Sequence, residues 1–392
     1  MFAVFRSACK PVTAFAAGLG AMLFLSGCEP VPMASTGPSI DTSAPVRVAL
    51  LVPGGSAQPG DAVLASSLEN AARLAMSDLD GVRVDLRVYD TAGEAQTAAA
   101  AATRAVNEGA RIILGPVYAQ SANAVGLALD DRNINVLAFS NNTDIAGGNV
   151  FVLGQTFRNT ANRLVRYAVE QGRGNIMIVH DRNMSGEAGA EAIRRAAAAS
   201  GATIAGQESY EFSQNGVVAA VPTIVETAQS SEAQAIFFTA DTSGALPLLT
   251  QLLPERGIDP AQTQFIGLTR WDIPPGTLEL PGVQGGWFAL PDPGLTQAFS
   301  QRYEASYGQP PHPIAGLAYD GIAAIGALVA QGNRDALTTS ALTQPQGFAG
   351  VNGIFRLLPD GTNTRGLAVA EIQNSQVVVI DPAPRSFGGT GF

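Results

Sequence analysis

The sequence predicts an α/β protein of two lobes, each a doubly wound parallel sheet with helices on both faces. Runs of apolar, strand-like residues alternate with helical segments from 46 to 139, and the same alternation begins again from 159 to 268. Right-handed crossovers between successive strands then place helices on both faces of each sheet. The length of 392 residues is sufficient for two domains of ordinary size.

The first round begins with Val46–Val52, a continuous apolar run typical of a buried strand. A loop rich in glycine and proline follows, and Asp61 is the predicted N-cap of the first helix. The loop lacks the Gly-x-Gly-x-x-Gly spacing of a dinucleotide site. The other predicted elements of this round are strands at 82–89, 111–114 and 135–139 and helices at 94–108 and 121–132.

The second round has the same order of elements, two further helices follow it, and from Gly353 onward the pattern changes to β-structure. The predicted helices are 159–171, 186–199, 217–228, 244–253, 293–307 and 314–330, and the predicted strands are 175–179, 203–209, 235–238, 264–268, 353–358, 367–372 and 377–380. An Asp360-Gly361 turn lies between two of these strands, 353–358 and 367–372. Such a turn predicts that those two strands form a hairpin.

The N-terminus carries the pattern of a secretion signal. Arg6 and Lys10 precede an apolar stretch at 11–25, which is shorter than the roughly 20 residues of a membrane-spanning helix. Leu25-Ser26-Gly27-Cys28 resembles the lipobox of bacterial lipoproteins, which implies that Cys28 is the lipid attachment site. The alternative is an accidental cysteine in an ordinary signal peptide. We expect a signal peptide at 1–27, a flexible linker at 28–45 and a loose tail at 383–392.

The composition argues against several classes of function. The net charge is −10, and no run of basic residues is present, which argues against nucleic-acid binding. Lys10 is the only lysine, so removing the signal removes Schiff-base and P-loop chemistry. His180 and His312 are the only imidazoles and lie far apart in the sequence. We therefore predict a protein that is not an enzyme and uses neither a cofactor nor a metal.

Polar residues follow several predicted strands at their carboxyl ends, where open parallel sheets bind ligands. Tyr118 and Ser121 lie near a helix N-terminus and could receive an anionic group, although Ser121 could instead only cap its helix. Each of the other candidates, taken alone, is more typical of a turn than of a ligand contact. Together they predict a ligand-binding cleft between the lobes. The candidate ligand-binding residues are Tyr118, Ser121, Ser140, Asn141, Asp181 and Asp241.

Four apolar motifs resemble the type I periplasmic binding protein fold of the leucine/isoleucine/valine-binding family. They are 48–53, 113–117, 136–140 and 318–321. The resemblance covers nearly all of residues 46–382 and implies three crossings between the lobes, near Leu153-Gly154, Leu290-Pro291 and Ala349-Gly350. Lobe 1 would then comprise 46–154 with 291–349, and lobe 2 would comprise 155–290 with 350–382. In amino-acid-binding relatives a hydroxyl cluster holds the ligand carboxylate, which Ser140 matches, and an acid holds the ammonium, which implies Asp181 or Asp241.

Two longer runs, 138–154 and 355–369 with the ending 381–384, resemble lipoproteins that activate penicillin-binding proteins. This resemblance implies a lipid-anchored periplasmic protein, held at the outer membrane through Cys28, that stimulates a peptidoglycan synthase of the class A penicillin-binding type by protein contact. The alternative function is a substrate-binding lipoprotein for an amino-acid-like solute, which serves an ABC permease or a sensor.

Overall fold

The computed structural model of the chain describes residues 37–388. The predicted signal peptide, Cys28, the first half of the predicted linker and residues 389–392 lie outside the described residues. Within residues 37–388, no helix has both the length and the apolar character needed to cross a membrane.

The first sheet has five parallel strands in the order β2-β1-β3-β4-β5. β1 is an apolar interior strand, paired with β2 on one side and β3 on the other, and all its residues are buried except the partly buried Arg47. Alanines Ala98, Ala101, Ala102 and Ala105 form the buried side of α2, so this helix can approach the sheet closely. The elements are β1 (Val46–Val52), α1 (Asp61–Ser77), β2 (Val84–Asp90), α2 (Ala95–Asn107), β3 (Ile112–Leu114), α3 (Ala119–Ala128), β4 (Val136–Ala138) and β5 (Val150–Val152).

The chain then passes to a second sheet through α4, which begins with a capping box. The Thr156 side chain accepts a hydrogen bond from the Asn159 backbone N–H, and the Asn159 side chain accepts one from the Thr156 backbone N–H. The elements of this part are α4 (Phe157–Glu170), β6 (Asn175–Asp181), α5 (Met184–Ser200), β7 (Thr203–Tyr210), α6 (Gln214–Ser230), β8 (Ala235–Phe238), α7 (Leu246–Glu255), β9 (Gln264–Gly267) and β10 (Trp287–Leu290).

Three further helices return the chain to the first sheet: α8 (Pro293–Tyr307), α9 (Gly316–Val329) and α10 (Thr339–Leu342). Asp292 caps α8 by accepting from the Gly294 backbone N–H at 2.9 Å. Phe299 of α8 and Ile322 of α9 are buried in the same core cluster as Leu50 of β1. We call the first sheet and the helices packed on it lobe 1, and the second sheet with its helices lobe 2.

The last five strands connect the lobes and complete the second sheet. Strands β11 (Phe348–Gly350), β12 (Gly353–Leu357) and β13 (Asn363–Arg365) form a small antiparallel sheet. Strands β14 (Ala368–Gln373) and β15 (Gln376–Asp381) then extend the second sheet, whose order is β15-β14-β10-β9-β8-β6-β7. Because β14 is antiparallel to β10 and to β15, the second sheet is mixed.

The predicted α/β fold of two sheet-containing lobes is confirmed, and two local predictions are wrong. The strand 353–358 does not pair with 367–372, since β12 pairs with β13 and β14 pairs with β10. Gly60, in a left-handed conformation, occupies the N-cap of α1, and Asp61 is the first helical residue. The sequence analysis also missed β5 and β10, which are only three and four residues long and fully buried.

Candidate functional site

A cavity of about 760 Å³ lies where the two lobes meet. Lobe 1 contributes the loop that follows β4, and lobe 2 contributes the first turn of α4 and one face of α5 as far as Arg195. The segment between β12 and β13 contributes two polar residues. The lining residues are Asn141, Asn142, Thr143, Asp144, Phe157, Arg158, Met184, Ser185, Ala188, Glu191, Ala192, Arg195, Asp360 and Thr362. Residues from both lobes and from a connecting segment therefore surround one space.

Both signs of charge line this cavity. Arg158 donates to Thr362 Oγ1 at 2.5 Å, and its Nη1 lies 3.7 Å from Asp360 Oδ2. Burial acts to raise the pKa of Asp360, but hydrogen bonds from Thr362 and the charge of Arg158 outweigh it and hold that pKa below its usual value. Within residues 37–388, no cluster of three or more histidine, cysteine or acidic side chains is suited to a metal ion. The cavity can therefore contact a solute that carries opposite charges.

Ser140 and Asn141 lie at the rim of the first sheet beside this cavity. Ser140 is buried, and its Oγ accepts from the Asn142 backbone N–H at 3.1 Å. The Ser140 carbonyl accepts from the Gly154 N–H at 3.0 Å, which ties the loop to the first crossing. Asn141 is exposed and lines the cavity. Of the six predicted ligand-binding residues, Asn141 is the one on the cavity wall.

Tyr118 and Ser121 lie elsewhere on the same edge of the first sheet. The Tyr118 hydroxyl donates to Asp61 Oδ1 at 2.5 Å, and this bond raises the pKa of Tyr118 to about 12. Ser121 is buried inside the first turn of α3 and donates to the Gly93 carbonyl at 3.4 Å, so it does not cap the helix. Because Asp61 already accepts from the Tyr118 hydroxyl, an anion bound here would meet a like charge, and the anion site stays a prediction.

Asp181 and Asp241 follow two neighbouring strands of the second sheet. Asp181 is buried, and its Oδ1 accepts from Thr239 Oγ1 at 3.0 Å while Asn183 donates to its other oxygen. Asp241 is exposed and accepts from Ser243 Oγ at 3.1 Å. Burial is the main cause that raises the pKa of Tyr210, and the negative charges of Asp181 and Asp241 raise it further. The two predicted acids therefore act on the same phenol.

The sequence analysis missed Tyr210 as a candidate site residue. It is the last residue of β7, its side chain is 1% exposed, and its hydroxyl has no hydrogen-bond partner. The rule that selected the other candidates, polar residues at the carboxyl ends of strands, applies equally to Tyr210, which directly follows the predicted strand 203–209.

A larger cavity, of about 1020 Å³, lies on lobe 2 alone, between α6, α7 and the segment 280–282. Its walls include Phe212, Val217, Leu248 and Leu280 and are mainly apolar. We regard the smaller cavity as the candidate site despite its size, because residues of both lobes line it and because it contains charged groups that can orient a ligand.

Comparisons with known proteins agree with this architecture. Residues 45–376 match the periplasmic binding protein family. An uncharacterized protein of Rickettsia prowazekii is 21% identical over 233 residues, which are 58% of this chain and 61% of that protein. The chain thus spans about three fifths of the length of the curated relative that it matches.

Several solved structures share the fold. A Rhodospirillum rubrum protein whose name refers to a branched-chain amino acid ABC transporter has a TM-score of 0.73 and 21% identity, over 86% of this chain and 100% of that chain. A branched-chain amino acid ABC transporter ligand-binding protein of Burkholderia xenovorans has a TM-score of 0.68 and 18% identity, over 88% and 97%. The substrate-binding protein LivJ of Streptococcus pneumoniae, in complex with isoleucine, has a TM-score of 0.59 and 15% identity, over 87% and 100%.

The family match covers most of the chain, from residue 45 to residue 376, and this range includes both sheets and the segments that connect them. These structures have the type I periplasmic binding fold that the sequence motifs resemble. The chain therefore belongs to the periplasmic binding protein family.

Proposed function

We propose that the protein is a substrate-binding protein that captures an amino-acid-like solute between its lobes and serves an ABC permease or a sensor. The observation that carries this proposal is the cavity of about 760 Å³ lined by both lobes and by both signs of charge. Its volume falls within the range of roughly 300–1,000 Å³ that is common for small-molecule sites. Binding, not catalysis, is the proposed activity.

The charges of the cavity suit an amino acid. Arg158 lies in the first turn of α4, where backbone N–H groups and the helix dipole also favour a negative group. Asp144 and Asp360 line the same cavity, and their carboxylates suit an ammonium group. A zwitterion satisfies both sets at once, whereas a simple anion or cation satisfies one.

We also propose how the lobes take part. Lobe 1 would be 46–154 with 291–349, and lobe 2 would be 155–290 with 350–382, with the carboxyl ends of both sheets facing the solute. Closure of two such lobes around a ligand is a hinge motion. Ser140 and Asn141 would act from lobe 1, and Asp181, Asp241 and Tyr210 from lobe 2, with the solute bridging them on closure.

The names of the related structures support solute binding over the activation of a peptidoglycan synthase. Those reported above are named for amino acid transport, and one holds isoleucine. Activation of a class A penicillin-binding protein remains a prediction from sequence resemblance. The family name supports a periplasmic location, and we propose that the lipid on Cys28 anchors the protein, at the outer membrane.

Titration calorimetry of the purified protein against the L-amino acids tests this function. We expect at least one to bind with a dissociation constant near about 1 µM, which corresponds to about −8 kcal/mol. We expect Arg158→Gln to weaken that binding about tenfold or more, since a charge-assisted hydrogen bond is lost. Arg111→Gln is the matched control, because Arg111 is exposed just before β3, at the opposite edge of the sheet. Absence of binding by every amino acid would overturn the proposal.

A further inference from the structure

The outward-facing surface of α6 and α7 on lobe 2 carries almost no charge. α6 has 17 residues and α7 has 10, and each contains a single charged residue, Glu226 and Glu255 respectively. The exposed residues of α6 include Val218, Ala219 and Pro222. By contrast, α5 of the same lobe also has 17 residues and contains four charged ones. A surface helix normally presents charged and polar residues to water, so this face is typical of one that packs against another surface.

Exposed apolar side chains lie next to a hollow on this face. Phe212, just before α6, is 62% exposed, and Val218 on α6 is 48% exposed. Phe212 also borders the apolar cavity of about 1020 Å³, whose other walls come mainly from α7 and the segment 280–282. The exposed Ile273 lies near the same cavity, because its carbonyl accepts from the Thr242 hydroxyl at 2.7 Å. Clustered exposed apolar groups of this kind mark interaction sites.

The rim of this face has one acid and one base that are free to pair with a neighbouring surface. Glu226 of α6 and Arg256, which directly follows α7, line a small hollow between the two helices. Both residues are exposed. Among residues 37–388, neither side chain has an ion-pair or hydrogen-bond partner. The rim therefore carries both signs of charge.

We propose that this face binds a second copy of the chain in a symmetric dimer. In a two-fold symmetric interface the same patch serves both subunits, so the patch must complement itself. This face complements itself in shape, because each copy has both the exposed Phe212 and the hollow. It complements itself in charge, because Glu226 of one copy pairs with the partner's Arg256, and the reverse pair forms by symmetry.

The charge distribution favours a second copy over a lipid surface. Two chains that each carry a net charge of −10 repel one another, and an almost uncharged face is where they meet at the least cost. A membrane surface instead favours a projecting apolar patch with basic residues beside it, whereas the walls of this cavity contain no basic residue. None of the residues that line this face lines the cavity between the lobes, so the dimer leaves the proposed solute site open.

Sedimentation velocity of the purified full chain over a range of concentrations tests this proposal. We expect a dimer, and we expect Val218→Glu to raise its dissociation constant about tenfold or more, because an unpaired charge is then buried at the interface. Leu127→Glu is the matched control, since Leu127 is equally apolar and exposed but lies on α3 of lobe 1. A parent protein that stays monomeric, or equal weakening by the two variants, would overturn the proposal.

A charge exchange tests the pairing of Glu226 with Arg256. Glu226→Arg should weaken the dimer about tenfold or more, because it places two arginines against each other at both symmetric contacts. Adding Arg256→Glu to this variant should restore the affinity of the parent. A double variant as weak as Glu226→Arg alone would overturn the pairing. Amino acid binding should be the same in Val218→Glu as in the parent, so the dimer and the proposed solute-binding function fail independently.

Discussion

Arg365 and Asp320 form an ion pair that is buried between α9 of lobe 1 and the segments that connect the lobes. Arg365 Nη1 donates to Asp320 Oδ2 at 3.1 Å, and the two side chains are 3% and 0% exposed. Arg365 Nε also donates to the Leu153 carbonyl at 2.8 Å, at the first crossing. At the third crossing, the Val351 N–H donates to Asp320 Oδ1 at 2.8 Å. One pair thus fixes two of the three connections to the same helix.

Asp320→Asn is therefore expected to destabilise the protein strongly. It leaves the Arg365 guanidinium buried without a counter-charge, which costs about 3–5 kcal/mol of unfolding free energy. Urea denaturation measures the loss. Glu211→Gln is the control, because it removes a surface ion pair with Arg182. The side chains of Arg182 and Glu211 are 54% and 65% exposed, so the loss should be less than about 1 kcal/mol. Equal losses for the two variants would contradict this account of the pair.

Gly154→Ala is expected to disturb the first crossing. A Cβ on Gly154 would lie 2.6 Å from the Ser140 carbonyl oxygen and 2.9 Å from the Asn141 N, and backbone atoms cannot yield as side chains do. We expect a loss of about 1–3 kcal/mol in stability, as for other overpacked sites. Thermal denaturation measures this loss. Gly276→Ala, where the new methyl group meets nothing within 4 Å, should be nearly neutral in the same experiment. A neutral Gly154→Ala would show that the loop adapts freely.

We expect the carboxylate of Asp78 to make a pH-dependent contribution to stability. Partial burial acts to raise its pKa, but hydrogen bonds from Arg302 and Tyr319 prevail and lower it. A lowered folded-state pKa gives stability above the unfolded pKa of about 3.9 and loses it as pH falls through the folded value. Asp78→Asn should therefore cost up to about 1 kcal/mol at pH 7, since the group is about one-third exposed.

Denaturation curves of the parent and Asp78→Asn at a series of pH values check this prediction. The difference in unfolding free energy should shrink as the pH falls below the unfolded pKa of about 3.9 and disappear once the carboxylate is protonated in the folded state as well. A difference that stays constant over that range would rule out the carboxylate as its source.

Tyr118→Phe is expected to destabilise lobe 1 through Asp61. Without the phenol hydroxyl, both oxygens of this buried carboxylate lack a partner, at a cost of about 1–3 kcal/mol. A double-mutant cycle with Asp61→Asn measures the coupling directly, because the two single losses should not add. Additive losses would show that the hydrogen bond contributes no coupling.

Cys28→Ser tests the lipid anchor predicted for the N-terminus. A serine cannot form the thioether to lipid, so the protein should move from the membrane fraction to the soluble periplasmic fraction. Cell fractionation followed by immunoblotting measures the distribution. A Cys28→Ser protein that remains wholly in the membrane fraction would contradict lipid anchoring at this residue.

Much of the fold could be predicted because it follows local patterns. The strand Ala235–Phe238 and the helix Pro293–Tyr307 have the predicted bounds, since a short apolar run and a proline after Asp292 mark them directly. Asn141 lines the cavity between the lobes, at the edge where the carboxyl ends of parallel strands lie, and its role in ligand binding stays a prediction. The fold class required only the order of these elements.

The sequence by itself thus determined the fold class and the edge at which polar residues collect, because both depend on neighbours along the chain. Only the tertiary structure decided which segments meet. The pairing of β14 with β10 joins residues about 80 positions apart, and the Tyr118–Asp61 bond joins residues 57 apart. Such contacts depend on how packed surfaces fit together. For the same reason Asp61, which the sequence indicated as an N-cap, is a buried carboxylate with one free oxygen.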